Sequence, residues 1–353
     1  MKRTICITLA AALPAVAAMA QSSSVTIYGT VGLGITHVNS SSGGSRWLEE
    51  SGVLRAGRLG FTGTEDLGGG LSAVFTLEQG ILADAGAAGQ GGRLFGRQSW
   101  VGLSSKSLGA ITLGRQYDMM NRLVRYSTAG DIGAVYGFHH GDYDRVSGFR
   151  IDNSIKYVSP VFGGGAQLAL LTAPGEDTGQ RTISGGLSYA NGPLDIAVSF
   201  ASTKRQTINP SADLGVATFF GATAGSIVAD KVTPRGFGVN YNFGSFKPHF
   251  AYTSVRIERS GKSTSLDSMD IGVSYPIGLA SIGAGMTHSK LESASWDQYS
   301  VGYIYNLSKR TKIYGNINYQ KASGTARNAV MPTLVAASGR SQLVPHVGLT
   351  HDF

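Results

Sequence analysis

The side chains most able to do chemistry gather in HHGDYD, residues 139–144, where His139 and His140 stand beside Asp142 and Asp144. Histidine and carboxylate together are the materials of a metal centre or of general acid–base catalysis. Adjacent residues on an extended chain point to opposite faces, so the two imidazoles do not converge, and a solvated loop is the expected setting. His249 and His288 are isolated, and the single cysteine, Cys6, cannot build a thiolate cluster. No G-x-S-x-G, H-E-x-x-H, P-loop or G-x-G-x-x-G pattern occurs. The expectation is a protein without enzymatic activity, cofactor or metal, with a hydrolase acting through His139 or Asp142 kept open as an alternative.

A second set of residues suits electrostatics better than bond chemistry. Asp118, Asp131, Asp142 and Asp144 lie on one long polar connection, 116–152, while Arg58, Arg97, Arg115, Arg150 and Lys156 stand in the segments around it. The 30 Lys and Arg exceed the 22 Asp and Glu, for a formal charge of +8. These cations are scattered and form no stripe or patch, which argues against a nucleic-acid partner.

The elements that would position these groups alternate with period two. In residues 298–307, Tyr299, Val301, Tyr303, Tyr305 and Leu307 oppose Ser300, Gly302 and Asn306, with Ile304 the exception. In residues 25–35, Val25, Ile27, Val31, Leu33 and Ile35 oppose Thr26, Thr30 and glycines, with Tyr28 out of pattern. Residues 71–78, 194–200, 236–243 and 312–320 alternate too, and the chain ends still alternating on Val347, Leu349, His351 and Phe353. This is strand periodicity. The 50 glycines argue against long helices, and after the leader no apolar run is long enough for a membrane helix.

That leader has the order of a secretory signal peptide: Lys2 and Arg3, an apolar stretch from Ile5 to Leu13, then Ala18-Met19-Ala20. Residues 1–20 are expected to be cleaved, leaving 21–353 as one domain. Within it, short connections at 67–70, 105–109, 162–165, 191–193, 244–246, 276–279 and 308–311 alternate with longer ones at 38–56, 80–96, 116–152, 172–181, 204–234, 257–267, 291–297 and 322–343. Fifteen connections join sixteen strands. An even strand number with short turns at one end and long loops at the other predicts an all-β fold, a 16-stranded antiparallel transmembrane β-barrel. In a bilayer every backbone N–H and C=O needs a partner inside the protein, so a sheet can span only by closing on itself. Tyr241, Phe243, Phe250, Tyr252, Tyr275 and Tyr305 are expected in the aromatic girdles.

The blocks SSSVTIYGTVGLGI, RLGFTGTEDLGGGLSAVFTLEQG, RLFGRQSWVGL, LGRQYD, NSIKYVSP and the terminal GLTHDF resemble, in this order, the Gram-negative general diffusion porins, closest to the β-proteobacterial outer-membrane branch. The resemblance covers nearly the whole chain after the leader. It implies a homotrimer in the bacterial outer membrane, embedded in lipid and lipopolysaccharide, with a long third loop folded into the lumen. Its function would be passive diffusion of small hydrophilic solutes and ions, and Phe353 resembles the signal read by the barrel-assembly machinery. A substrate-selective channel, or less closely an adhesin or outer-membrane hydrolase, stays open.

The third loop would be 116–152, carrying the acidic side of a constriction at Asp131, Asp142 and Asp144; GDYD is similar to a stretch in related porins' loops, whereas a Pro-Glu-Phe-Gly-Gly motif of enterobacterial relatives is missing. The basic wall would be Arg58, Arg97, Arg150 and Lys156. Arg58 opposes Leu59 and Phe61 in parity, and Arg150 shares parity with Lys156, opposite Ile155 and Tyr157. Arg97 shares parity with Val101 and Leu103, but similarity to the family's arginine at this block points it inward and leaves Trp100 outward. Arg115 reads as a rim or subunit-contact residue. Facing charges of opposite sign would set a transverse field across the water-filled path, with weak anion preference.

Overall fold

The computed structural model describes residues 23–132, 135–139, 141–176 and 179–353. The leader with Cys6, and His140, lie outside the described residues. Sixteen strands form the wall. The first eight are β1 Ser23–Ser41, β2 Arg58–Gly68, β3 Leu71–Leu82, β4 Gln98–Ser105, β5 Gly109–Tyr117, β6 Arg150–Val158, β7 Ala166–Ala173 and β8 Thr182–Asn191. The second eight are β9 Leu194–Ile208, β10 Ile227–Tyr241, β11 Lys247–Arg259, β12 Lys262–Ile277, β13 Ala280–Leu291, β14 Ala294–Asn306, β15 Thr311–Gly324 and β16 Ser341–Asp352. Each pairs antiparallel with its neighbours, and short strands Gly44–Ser51 and Ala87–Ala88 extend the sheet above β1 and β3.

Closure lies between the ends of the chain. β1 pairs with β2 over Ser23–Thr30, and its other edge takes β16 over Thr30–Thr36, opposite Asp352–His346. Gly29 and Phe353 then exchange both backbone hydrogen bonds, each 3.0 Å. A Cβ on Gly29 would stand 2.2 Å from the Phe353 ring, so the missing side chain is where the terminal phenylalanine lies. Closed in this way, the sheet presents no unpaired edge.

The two faces have inverted polarity relative to a water-soluble barrel. Outward residues are apolar and bare, as at Val101 (59% exposed), Ile111 (51%) and Val347 (62%), whereas Thr112, Gln320 and Thr350 are buried inside. An apolar surface that encircles the molecule is stable only against lipid. No helix among the described residues is long and apolar enough to cross a membrane; the apolar outer face is carried by the strands. Aromatic rings at the tight-turn end support this setting: Tyr241 packs tilted on Phe243 at 4.6 Å, Phe243 stacks on Phe246 at 4.7 Å, and Tyr275 is exposed near its turn.

Two connections differ from the expectation. Residues 257–267 and 291–297, read as long loops, are tight turns at Ser260-Gly261 and Glu292-Ser293, with φ of 50° at Ser260 and 53° at Glu292. Their polar residues continue β11–β14 past the apolar band, where a strand needs no lipid-compatible side chains. At this end the inward face turns apolar: Val232, Val255, Ile257, Leu266, Leu291 and Trp296 are buried beneath Tyr143, Leu214, Val216, Phe219 and Ala326 from the loops. The loops thus roof one side of the mouth with an ordinary hydrophobic core.

Candidate functional site

The longest connection, between β5 and β6, lies against the inward-facing side of the wall. It leaves β5 at Tyr117, and the next carboxylate, Asp118, is fully buried against Arg145 at 2.9 Å and accepts the Met120 N–H. The 3-10 turn Met120–Tyr126 buries Met120, Leu123 and Tyr126 on Ala197, Ala201 and Ala251. The helix Thr128–Ile132 follows, and the Thr128 N–H and hydroxyl donate to Asp270 at 2.9 and 2.8 Å. The Gln298 amide donates to the carbonyls of Tyr136 and Phe138, and the Tyr136 hydroxyl donates to Glu50.

Glycines on the inner wall make room for this path. A Cβ on Gly238 would stand 2.4 Å from the Tyr126 ring, on Gly283 1.9 Å from Ile132, and on Gly285 1.9 Å from the Thr128 hydroxyl. All three stand on wall strands, where the missing side chain allows close approach of a second layer.

Between the loop and the wall is a void of about 740 Å³ lined by Arg55, Arg58, Arg97, Arg125, Arg150 and Lys312, with Asp352 the one acidic side chain on its lining among the described residues and the terminal Phe353 beside it. Glu78 is buried behind the arginines. It accepts from Arg97 Nε at 2.7 Å and from the Tyr28 hydroxyl at 2.9 Å, with Arg58 Nη1 at 3.9 Å. Arg97 Nη2 and Arg150 Nη2 both donate to the Tyr117 hydroxyl, at 2.9 and 2.6 Å. Arg125 pairs with Asp195 at 2.9 Å and Arg55 with Asp352 at 3.5 Å. The loop side of the void is Asn121, Val124, Arg125, Ala129, Gly130, Val135 and Phe138. Among the described residues, a cationic wall therefore faces a loop surface whose one charged side chain in the void is a further cation, Arg125, paired with Asp195.

Of the expected basic residues, Arg58, Arg97 and Arg150 come together here and Lys156 does not. Its ammonium donates to the Tyr117 carbonyl at 3.2 Å and lines a separate cleft of about 270 Å³ behind the loop, with Arg122. Arg97 turns inward because it precedes β4, so strand parity does not bind it; Trp100 is then on the inward parity with Gly102, opposite exposed Val101 and Leu103, and not outward as expected. The parity argument for Arg150 fails although its outcome stands. The alternation breaks between Ile151 and Ser154, where Asn153 has φ 53°, and Ile151 is buried against Leu171 and Ala173. Arg115 is at the rim, where Asp152 holds it together with Arg93.

The expected acidic side is corrected. Asp144 is buried, accepting from the Thr253 hydroxyl at 2.6 Å and facing His139 Nε2 at 2.6 Å. Burial by itself would raise its pKa, but His139 and Thr253 hold it below the ordinary aspartate value. Asp142 accepts the Ser147 N–H at 2.8 Å and lines another void, of about 530 Å³, with Arg93, Arg115, Arg150, Asp152 and Glu176. Burial, and next the charge of Asp144, push Asp142 up to about 7. Asp131 belongs to the helix Thr128–Ile132, and its side chain lies outside the described residues. Asp118 and Asp144 are consumed in holding the loop, Asp142 lines the second void, and no loop carboxylate lines the larger void among the described residues.

The family profile of Gram-negative porins matches residues 7–325. The chain belongs to the Gram-negative porin family. Outer membrane porin protein 32 of Delftia acidovorans is 34% identical over 380 residues, covering 100% of both chains. An outer membrane porin protein of Bordetella pertussis is 31% identical, covering 91% of this chain and 94% of its own. The solved structure of an anion-selective porin from Comamonas acidovorans superposes with a TM-score of 0.79 at 28% identity, covering 94% of this chain and 100% of that one. This porin is a channel of the outer membrane and not an enzyme.

Sequence reasoning missed Tyr117, Glu78, Arg55, Arg125 and Lys312. The signal for part of this was present: Tyr28 and Ile304, which broke the alternation, both line the larger void.

Proposed function

We propose that this porin is a general diffusion channel with modest anion preference, formed by a single domain, residues 21–353, after cleavage of the leader at residue 20. Its selectivity wall is Arg58, Arg97 and Arg150, joined by Arg55 and Lys312, with Arg125 on the loop opposite. The observation that carries the reading is the excess of positive charge: six cations line the void against the one acidic side chain Asp352, and Glu78 and Asp195 beside it are each bonded to an arginine. The mechanism differs from a transverse field between charges of opposite sign. A positive potential from one wall, confined by low-dielectric protein, raises the local concentration of anions and lowers that of cations. The anion selectivity in the name of the Comamonas acidovorans porin supports the same reading.

A homotrimer fits the asymmetry of the outer face. β4–β7 are 8, 9, 9 and 8 residues long and expose aliphatic Val101, Leu103, Ile111, Leu113 and Ile155. β9–β12 run 15, 15, 13 and 16 residues and carry Phe200, Phe237, Tyr241 and Tyr275 outward. The low aliphatic side suits subunit contact, and the tall aromatic side suits lipid and lipopolysaccharide. Phe353, seated over Gly29 at the closing seam, is the residue offered to the barrel-assembly machinery.

Single-channel conductance in a planar bilayer, with the reversal potential read across a KCl gradient, tests the proposal. Ohmic steps in threes with a reversal potential of anion sign support it. Cation sign overturns the arginine wall, and saturable flux of one solute in place of flux falling with size overturns general diffusion.

A further inference from the structure

We propose that Tyr117 is a positioning residue for the anion path, the shared acceptor that sets the spacing and aim of Arg97 and Arg150; the inference rests on the arginine-wall reading above. Two guanidiniums that carry permanent like charge repel each other and splay unless something between them accepts from both. The Tyr117 hydroxyl does so, taking Arg97 Nη2 at 2.9 Å and Arg150 Nη2 at 2.6 Å. A phenolic oxygen has acceptor capacity for two donors, and charge-assisted bonds of this kind are the strong ones. The Arg150 guanidinium also lies 4.7 Å above the centre of the Tyr117 ring, a cation–π contact that fixes its plane.

Tyr117 is itself held from several directions. It pairs with Arg150 across the β5–β6 ladder, and its carbonyl accepts from Lys156 at 3.2 Å. The following residue, Asp118, is anchored by the buried guanidinium of Arg145. The phenol therefore stands where the chain turns from wall to loop, with little freedom to move. What it holds matters for passage because Arg150 lines both the outer void with Asp142 and the inner void with Arg58 and Arg97. A solute passing from one to the other meets Arg150, and Tyr117 decides how far Arg97 stands behind it.

The test compares the native channel with Tyr117→Phe, which keeps the ring and removes one oxygen, with Arg97→Ala/Arg150→Ala, and with all three changes together. Each is assembled, checked for heat-modifiable folding, and read by reversal potential in a KCl gradient. Tyr117→Phe is expected to lower the chloride-to-potassium permeability ratio about threefold, the Boltzmann factor for one unit charge retreating from about 4 to about 6 Å of the ion path at water-like dielectric, counted once for the anion and once for the cation. In the background lacking both arginines it is expected to change nothing further. An unchanged ratio in Tyr117→Phe while the double arginine variant lowers it overturns the proposal, as does an equal drop in both backgrounds, which would mean pore shape. If the double arginine variant leaves the ratio unchanged, the arginine wall falls first and this inference with it. Should Tyr117→Phe fail to assemble, Arg97→Lys keeps the charge but cannot reach Glu78 and Tyr117 together. The same drop, about threefold, supports the proposal there, and an unchanged ratio overturns it.

Discussion

Arg150→Gln is the perturbation that isolates wall charge from wall structure. Arg150 has no carboxylate partner among the described residues, whereas Arg97 is bonded to buried Glu78, so removing Arg97 would strand a carboxylate as well as remove a cation. An anion passing about 5 Å from the guanidinium gains about 0.8 kcal/mol in water, and screening at 0.1 M salt reduces this to about 0.5 kcal/mol. A cation loses the same amount, so the permeability ratio moves by twice that figure over RT, about fivefold toward cations. The assay is the reversal potential across a KCl gradient, repeated at lower salt, where the Debye length grows and the shift must widen. Arg93→Gln is the control, because Arg93 lies outside the larger void and Asp152 already holds it at 2.9 Å. A shift under about twofold at Arg150, an equal shift at Arg93, or no widening on dilution would refute the electrostatic wall.

Three other perturbations test how the loop is held. Arg145→Ala leaves Asp118 buried without its cation, costing about 3–5 kcal/mol, and is expected to lower the urea midpoint of the barrel sharply, with Asp118→Leu/Arg145→Met recovering most of it. In Gly285→Val the new side chain enters the space of the Thr128 hydroxyl, 1.9 Å from its Cβ position, so the helix Thr128–Ile132 is displaced from Asp270; conductance steps should change in size while the folded barrel persists on gels, and unchanged steps would sink the tether. Asp142 titrates near 7 in the folded protein against an ordinary 3.8, so the folded state holds a proton that the unfolded chain has released between those values. Stability from this group therefore falls as pH rises from about 4 to about 7, and Asp142→Asn should match the native protein below pH 4 and exceed it at pH 8 in urea midpoint, an inverted slope being the contrary result.

How much of the site could be read from the sequence depended on whether strand parity applied. Arg58 stands at the start of β2, where alternation holds, and its inward position follows from Leu59 and Phe61 facing lipid. Arg97 and Arg150 stand at strand ends, one before the first ladder pair and the other beyond a bulge, and parity carries no information there. Asp142 and Asp144 were legible as loop carboxylates, but their destinations depended on partners far along the chain, Thr253 and His139 for Asp144. The tight turns at Ser260-Gly261 and Glu292-Ser293 were read as loops because strands leaving the bilayer lose the apolar alternation while keeping their hydrogen bonds.

The sequence by itself determined the wall. Period-two alternation, an even number of segments, short turns at one end and a terminal phenylalanine still in register admit one economical solution in lipid, a closed barrel, because backbone polarity has no other partner there. Only the tertiary structure decided the channel. A residue's charge reaches the solute or is consumed in the protein according to what stands opposite, and those partners meet only after the third loop has folded against strands remote in sequence: Glu78 behind Arg97, Arg145 on Asp118, and one phenol between two arginines. Side-chain alternation is a local property of the backbone, whereas the sign of the field along a pore is a sum over pairings that no local pattern encodes.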